Sequence, residues 1–200
     1  MNKCVSTGIY ESLSWCDGKT VLPGIKPRAY FIKKSDIVSW PKLPDLSEAK
    51  AMGELATYAG NFVLAADKKW QTLDGLSNKG TVDCEQQGEK PSRTFLNKGS
   101  LKHPGVEAEA AGFCRQAVSD NLVYLVQQRN GKFRVLGSNE FDSDTKIKQS
   151  LGEGVTGDAG TTLEIESTDV CPAPFYPGKI ETDDGDLSGA DGSAWIAPSA

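Results

Sequence analysis

Apolar and polar residues alternate most clearly over residues 122–137, where two β-prone runs flank Asn130 and Gly131. An Asn-Gly pair between such runs is the strongest short-range signal of a β-hairpin. A two-residue turn at this pair predicts a register in which Leu125 lies opposite Leu136. Because isolated two-stranded ribbons are marginally stable, this hairpin has to pack against another surface. In that register one face carries four apolar side chains: Tyr124, Val126, Phe133 and Val135.

The tip of the same hairpin is basic. Arg129, Lys132 and Arg134 lie toward the turn, on the face opposite the four apolar side chains. Charges at the solvent end of a ribbon commonly keep it soluble, and they are also able to contact a phosphate backbone.

Other segments of the chain carry weaker strand patterns, separated by glycine, proline and other turn formers. The first 45 residues contain many such turn formers and predict an arm with edge strands. Residues 99–105 predict an exposed connection. The predicted strands are residues 29–33, 37–40, 61–73, 81–87, 93–96 and 161–167.

One segment has convincing helical spacing. Residues 106–119 combine acidic residues in the first turn with apolar residues that recur every three or four positions. Residues 48–56 predict a second, short helix, which Gly53 weakens. Together with the strands, this pattern predicts a mainly β protein of the α+β class with one covering helix. The helical apolar residues are Val106, Ala110, Phe113, Ala117 and Val118.

Charge is distributed unevenly along the chain. The net charge is -5, from 22 basic and 27 acidic residues, and residues 180–200 hold five acids and no base. The remaining 22 acids therefore balance the 22 bases, and a neutral body lacks the basic patch typical of tight nucleic-acid binding. We divide the chain into an arm with edge strands (residues 1–45), a β-rich domain (residues 46–180) and a flexible acidic extension (residues 181–200).

No pattern in the chain favours catalysis, a cofactor or a metal. The five cysteines are scattered without a C-x-x-C pair, which argues against a disulfide framework and against zinc. His103 is the only histidine, so a histidine-dependent nucleophile would have to use it. Residues 152–157 match G-x-G-x-x-G but do not open a helix, so we interpret them as a loop.

Two acidic segments have weak metal-site features. Asp142 and Asp144 could hold a divalent ion with a phosphate substrate, although such residues after a hairpin usually cap turns. Residues 183–192 lack the full ligand pattern of a calcium loop, and an acidic solvated segment explains them better.

The N-terminus has no apolar stretch of the kind found in secretory signals, and no run is long enough for a membrane-spanning helix. We therefore expect a protein made in the cytoplasm and not inserted in a membrane.

Taken in order, the elements resemble those of phage tail tube proteins, the ring-forming subunits of long-tailed bacterial viruses. The resemblance covers about residues 20–180. It is carried by residues 22–32, by the helix that runs directly into residues 121–126, by the return strand 129–137, and by residues 154–166 with the following 171–176. The ends are similar to small structural proteins of phages and prophages from Bacteroides-like bacteria.

This resemblance implies a virion protein with no catalytic activity. It implies an antiparallel β-sandwich or half-barrel that completes a barrel on oligomerisation, in hexameric rings stacked into a conduit for DNA. The implied partners are other copies of the chain, other tail or neck proteins, and DNA in transient contact with the lumen. On this hypothesis the hairpin builds the ring wall, and its interface candidates are Tyr124, Leu125, Val126, Phe133, Val135 and Leu136.

Two alternatives stay open at this point. Another single-ring component of the virion, such as a tail terminator, neck or head-completion protein, would use the same hairpin. An enzyme or binding domain would use carboxylates of the turn-rich loops, with Asp142 and Asp144 as the first candidates.

Overall fold

Two four-stranded antiparallel sheets contain most of the strand residues of the computed structural model, which describes residues 9–197. The chain is mostly β, with 39% strand and 11% helix, so the mainly β prediction is confirmed. The α-helix α1 is Ala108–Ala117, and 3-10 helices lie at Lys34–Asp36, Met52–Ala56 and Gly154–Thr156. The strands are β1 (Ile25–Lys33), β2 (Ile37–Ser39), β3 (Val63–Leu64), β4 (Gln71–Asp74), β5 (Thr81–Gln87), β6 (Thr94–His103), β7 (Leu122–Gln128), β8 (Phe133–Leu136), β9 (Asp144–Ser150), β10 (Gly160–Asp169), β11 (Lys179–Ile180) and β12 (Leu187–Ser188).

Sheet I has the strand order β4-β1-β7-β8, and sheet II has the order β5-β6-β10-β9. Two small sheets, β2-β3 and β11-β12, accompany them. The prediction of edge strands in residues 1–45 is wrong for β1, because it pairs with β4 on one side and β7 on the other. Residues 9–24 do form an arm without regular structure, and residues 1–8 lie outside the described residues.

Sheet I packs against other parts of the chain on both of its faces, although its outer strand β4 is largely exposed. One face packs under the loops and small sheets through an aromatic cluster that includes Phe62, Trp70 and Tyr176. The other face packs on Leu163 and Ile165 of sheet II. All five residues of the run 122–126 in β7 are therefore buried, which explains its unbroken apolar sequence.

Sheet II is buried on one face only. Along β10, buried residues alternate with more exposed ones, as expected when one face of an antiparallel sheet meets solvent. The two sheets pack tightly at Gly99 in β6, where an added Cβ would collide with Leu136 of β8. The predicted exposed connection at residues 99–105 is wrong, since β6 continues to His103 and buries Leu101.

The hairpin is present, but its register differs by one residue from the prediction. Leu125 lies opposite Val135 instead of Leu136. The loop has three residues because Gly131 adopts a φ of +99° while Asn130 stays outside the positive-φ region that a two-residue type I′ turn requires. A shift of one residue moves the side chains of one strand to the opposite face relative to the other strand.

The one-residue shift redistributes the predicted faces of the hairpin. Tyr124 and Val126 point toward sheet II with Leu136, whereas Phe133 and Val135 point to the other core. The grouping of Tyr124, Val126, Phe133 and Val135 on one face is therefore wrong.

Residues 61–73 do not form one continuous strand. Asp67, with a φ of +61°, lies in a turn, and β3 and β4 on either side of it belong to different sheets. Of the predicted short helix 48–56, only the 3-10 helix Met52–Ala56 forms. The predicted helix 106–119 is confirmed as α1, although Val118 is 70% exposed.

The predicted flexible extension at residues 181–200 is wrong for its described part. The backbone N–H groups of Trp70 and Phe133 donate to the carbonyl oxygens of Glu181 and Gly189, at 2.8 and 3.1 Å. Thr182 is buried. Composition misled the prediction, because these contacts are made by main-chain atoms while the acidic side chains remain at the surface. Residues 198–200 lie outside the described residues.

Candidate assembly surface

The six predicted interface residues lie in the interior of a single chain. Each is at most 1% exposed. Their apolar area is already buried against other parts of the same subunit, so a contact between copies has to be formed by other residues. The six are Tyr124, Leu125, Val126, Phe133, Val135 and Leu136.

Arg129, the first arginine of the predicted basic tip, binds the root of the arm, which is the end of residues 9–24 next to β1. Nε of Arg129 donates to the carbonyl oxygen of Pro23 at 3.0 Å, and its Nη2 donates to Oδ1 of Asn78. This guanidinium therefore joins the hairpin to Pro23, which precedes β1, and to Asn78, which follows β4.

The second arginine holds the segment that covers β8. The guanidinium of Arg134 lies 3.8 Å from the ring centroid of Phe175, and Nη1 donates to the carbonyl oxygens of Pro172 and Ala173 at 3.1 and 2.9 Å. Burial lowers its pKa. Nζ of Lys132 lies 5.7 Å from the centroid of the same ring. Of the three basic residues at the tip, only Lys132 is exposed.

Strand β4 leaves a short outer edge of sheet I unpaired among the described residues, but the longest free edges of the molecule belong to sheet II. Strands β5 and β9, each seven residues long, are its two outer strands. Within residues 9–197 no segment pairs with the outer side of either strand. Unpaired edges of this length present rows of backbone donors and acceptors that favour pairing with another chain.

Sheet I differs because its β8 edge is closed. The N–H of Val135 donates to the carbonyl oxygen of Pro174 at 2.9 Å, and the N–H of Tyr176 donates to that of Phe133 at 3.1 Å. The segment from Pro174 to Tyr176 therefore takes the position of a further strand. Sheet II has no such cover at β5 or β9.

The outer face of sheet II is polar and almost neutral. The strand registers place five acids and four lysines on it, for a net charge of -1. Leu96 is the only large apolar residue that these registers place there. The acids are Asp83, Glu85, Asp144, Glu164 and Glu166, and the lysines are Lys98, Lys102, Lys146 and Lys148.

Cross-strand contacts order this face. Nζ of Lys146 lies 3.0 Å from Oε2 of Glu166, which raises the pKa of Lys146, and Lys98 pairs with Glu85 on the neighbouring strands. Exposed pairs of this kind contribute little stability. Their effect is to spread both signs of charge across a flat surface.

The residues considered for chemistry are used by the fold. Oδ1 of Asp142 accepts from Nζ of Lys34 at 2.9 Å, and this contact lowers the pKa of Asp142. Nδ1 of His103 lies 2.7 Å from the carbonyl oxygen of Asp74. In the described part of the chain, no three His, Cys, Asp or Glu residues are arranged to hold a metal ion. The G-x-G-x-x-G segment is an exposed loop between β9 and β10.

Sequence reasoning missed a buried polar group at the inner face of sheet II. Asp169 is 5% exposed, and burial raises its pKa to about 6. Oδ2 of Asp169 and Oγ of Ser167 have no hydrogen-bond partner among the described protein atoms. The alternation in β10 could have predicted this burial. Ser167 and Asp169 fall on the same face of the strand as the buried Leu163 and Ile165.

Among the described residues, no helix has the length and apolar content needed to cross a membrane. Comparison of the chain with protein-family models, with curated proteins and with solved structures finds no match.

Proposed function

We propose that this chain is a structural subunit of a phage tail tube, which self-assembles into stacked, six-membered rings through sheet II. On this proposal sheets I and II form a β-sandwich, and sheet II of each subunit becomes part of a barrel shared by the ring. The protein acts by its geometry and has no catalytic activity. Its partners are other copies of itself, neighbouring tail or neck proteins, and the DNA that passes through the lumen.

The open edges of sheet II carry this proposal. Strand β5 of one copy pairs with β9 of the next, so closing the ring removes every exposed edge of the sheet. The equal length of β5 and β9, seven residues each, suits such pairing. A contact of this kind uses a different surface on each partner and therefore closes into a ring when the rotation between copies allows it.

The size of the barrel is compatible with a conduit. Six copies of a four-stranded sheet give about 24 strands, more than the 16–18 strands that leave an aqueous channel in porins. The polar outer face of sheet II lines this channel. A weakly acidic lining with both signs of charge provides no continuous basic track, so DNA contacts stay transient.

Electron microscopy of the purified chain across a range of concentrations tests the proposal. We expect rings that stack into open-ended tubes. Single rings that never stack would favour the alternative hypothesis, another ring component of the virion, over the tube subunit. A chain that remains monomeric by light scattering at every concentration would contradict self-assembly.

A pair of adjacent proline variants tests the edge itself. Successive N–H groups of a strand point to opposite sides, so Glu85→Pro and Gln86→Pro in β5 remove one donor toward β6 and one toward the open edge. We expect the variant that loses the inward donor to unfold at lower urea. The other should keep its fold and lose ring formation. Normal assembly by both variants would rule out pairing at β5.

A further inference from the structure

A groove of about 460 Å³ lies between α1 and the end of β1. Its floor is apolar and includes Phe31 and Phe113, whose rings meet edge to face with 5.1 Å between centroids. Both residues are only partly buried. Charged side chains form the rim: Lys33, Asp36, Asp67, Lys68, Lys69 and Asp120. A groove with an apolar floor and a charged rim suits an extended peptide segment with large apolar side chains.

The backbone of β1 is also unpaired beside this groove. Strand β4 pairs with β1 only from Arg28 to Phe31, whereas β7 pairs with it as far as Lys33. Upstream of β4, Trp70 forms a bridge with Thr182, and residues 67–69 line the groove without pairing with β1. In the described residues, no strand therefore lies on the β4 side of Ile32 and Lys33. A segment in the groove can continue the line of β4 and pair with this backbone.

The arm formed by residues 9–24 has side chains that fit such a groove. Tyr10, Leu13 and Trp15 are 95%, 90% and 64% exposed. In an extended segment Leu13 and Trp15 point to the same side, since side chains alternate along a strand. Large apolar residues exposed together mark a surface that meets a partner.

The arm leaves the molecule at the end opposite to the groove. Its root is fixed where Arg129 binds the carbonyl oxygen of Pro23, next to the first residue of β1, while the groove lies at the last residues of that strand. Nine residues of strand separate these ends by about 26 Å. Eight residues separate Trp15 from Pro23, and when extended they reach at most about 28 Å, which is enough to cross to a subunit in contact with this one.

We propose that the arm of one copy docks in the groove of a second copy, with Trp15 on the floor beside Phe31 and Phe113 and the arm backbone paired along Ile32 and Lys33. This proposal rests on the proposed function only in requiring that two copies meet. It adds a contact distinct from the β5 and β9 edges, formed by sheet I and α1.

Chemical crosslinking between two forms of the full chain tests this contact. Both forms carry serine at Cys4, Cys84 and Cys114. The first keeps Cys16, which follows Trp15, and the second carries Cys16→Ser with Gln116→Cys on the groove rim. The two forms bear different tags, are co-expressed and are treated with a short bismaleimide, so that only a heterodimer joins arm to groove.

Arg115→Cys in place of Gln116→Cys is the matched control, because Arg115 is exposed on the same helix turn but does not line the groove. We expect the heterodimer to form about tenfold faster with the groove cysteine than with the control. Trp15→Ser in the first form should reduce the rate to that of the control. Val21→Ser, which removes an exposed apolar residue near the arm root, should leave the rate unchanged.

Equal rates for the two cysteine positions would overturn the proposal. A fast-migrating monomer from one chain that holds both Cys16 and Gln116→Cys would also overturn it, because the arm then folds back on its own groove. Rings without a selective heterodimer would refute arm docking and leave the tube hypothesis intact. A selective heterodimer without rings would support arm docking and contradict the tube hypothesis.

Discussion

Sheets I and II have the same number of strands, but they have different surroundings. Sheet I packs on both faces through β1, β7 and β8, and the segment from Pro174 to Tyr176 closes its β8 edge. Sheet II is covered on one face and has two open edges. The difference places most of the buried core around sheet I, and on the proposed function it leaves assembly to sheet II. Changes in sheet I should unfold the subunit, and changes on the outer face of sheet II should leave the fold intact.

The largest effect should follow from a cavity in sheet I. Phe133 is 1% exposed and packs 5.8 Å from the ring centroid of Tyr30. We expect Phe133→Ala to lower the free energy of unfolding by about 3–5 kcal/mol, measured by urea denaturation. Glu164→Ala, on the outer face of sheet II, should change it by less than about 0.5 kcal/mol. Similar losses for the two variants would break the comparison.

A second prediction concerns the buried carboxyl group of sheet II. Burial raises the pKa of Asp169 from its ordinary 3.8 to about 6, so between these pH values the folded chain holds a proton that the unfolded chain has released. Stability from this group is therefore present below pH 4 and is lost as the pH rises through 6. The difference between these two pKa values corresponds to about 3 kcal/mol.

We expect Asp169→Asn to stabilise the chain at pH 7 by about 2 kcal/mol and to have little effect at pH 3.5. Urea denaturation at a series of pH values measures this dependence. Asp142→Asn is the matched control. Because Lys34 lowers the pKa of Asp142, losing this carboxylate should give a small change in the opposite direction at pH 7. A destabilised Asp169→Asn variant at pH 7 would contradict the prediction.

The smallest expected effect concerns the contact between the two sheets at Gly99 and Leu136. A side chain at Gly99 would collide with Leu136, which is fully buried. We expect Gly99→Val to cost about 1–2 kcal/mol. Leu136→Val removes one methylene from the contact, so the double variant should be more stable than the sum of the single effects predicts. Strict additivity in the double-mutant cycle would show that these residues do not meet.

Local sequence patterns correctly predicted those elements that short-range spacing and turn residues determine. The strand Thr81–Gln87, the helix α1 and the existence of the hairpin all follow from short-range spacing and turn chemistry. The hairpin register did not follow, because Asn130 adopts a backbone conformation that residue type alone does not fix. A one-residue error in the loop was enough to mix the two faces of the hairpin.

Long-range contacts explain the other differences. Nothing near β1 in sequence indicates that its partners are β4 and β7, which lie about 40 and 95 residues away along the chain. The partial burial of Arg134 likewise depends on Phe175, a residue far from it in sequence. The candidate assembly surface was missed for the same reason, since an open edge becomes visible only when the pairing of every strand is known.

The cover of β8 has a consequence for how the chain is made on the ribosome. β8 leaves the ribosome well before the segment from Pro174 to Tyr176 and Gly189 that satisfies its backbone. Until those residues emerge, the nascent chain carries a bare strand edge on its central sheet and has not enclosed its aromatic core. Completion of the fold therefore has to wait until residues 174–189 have left the ribosome.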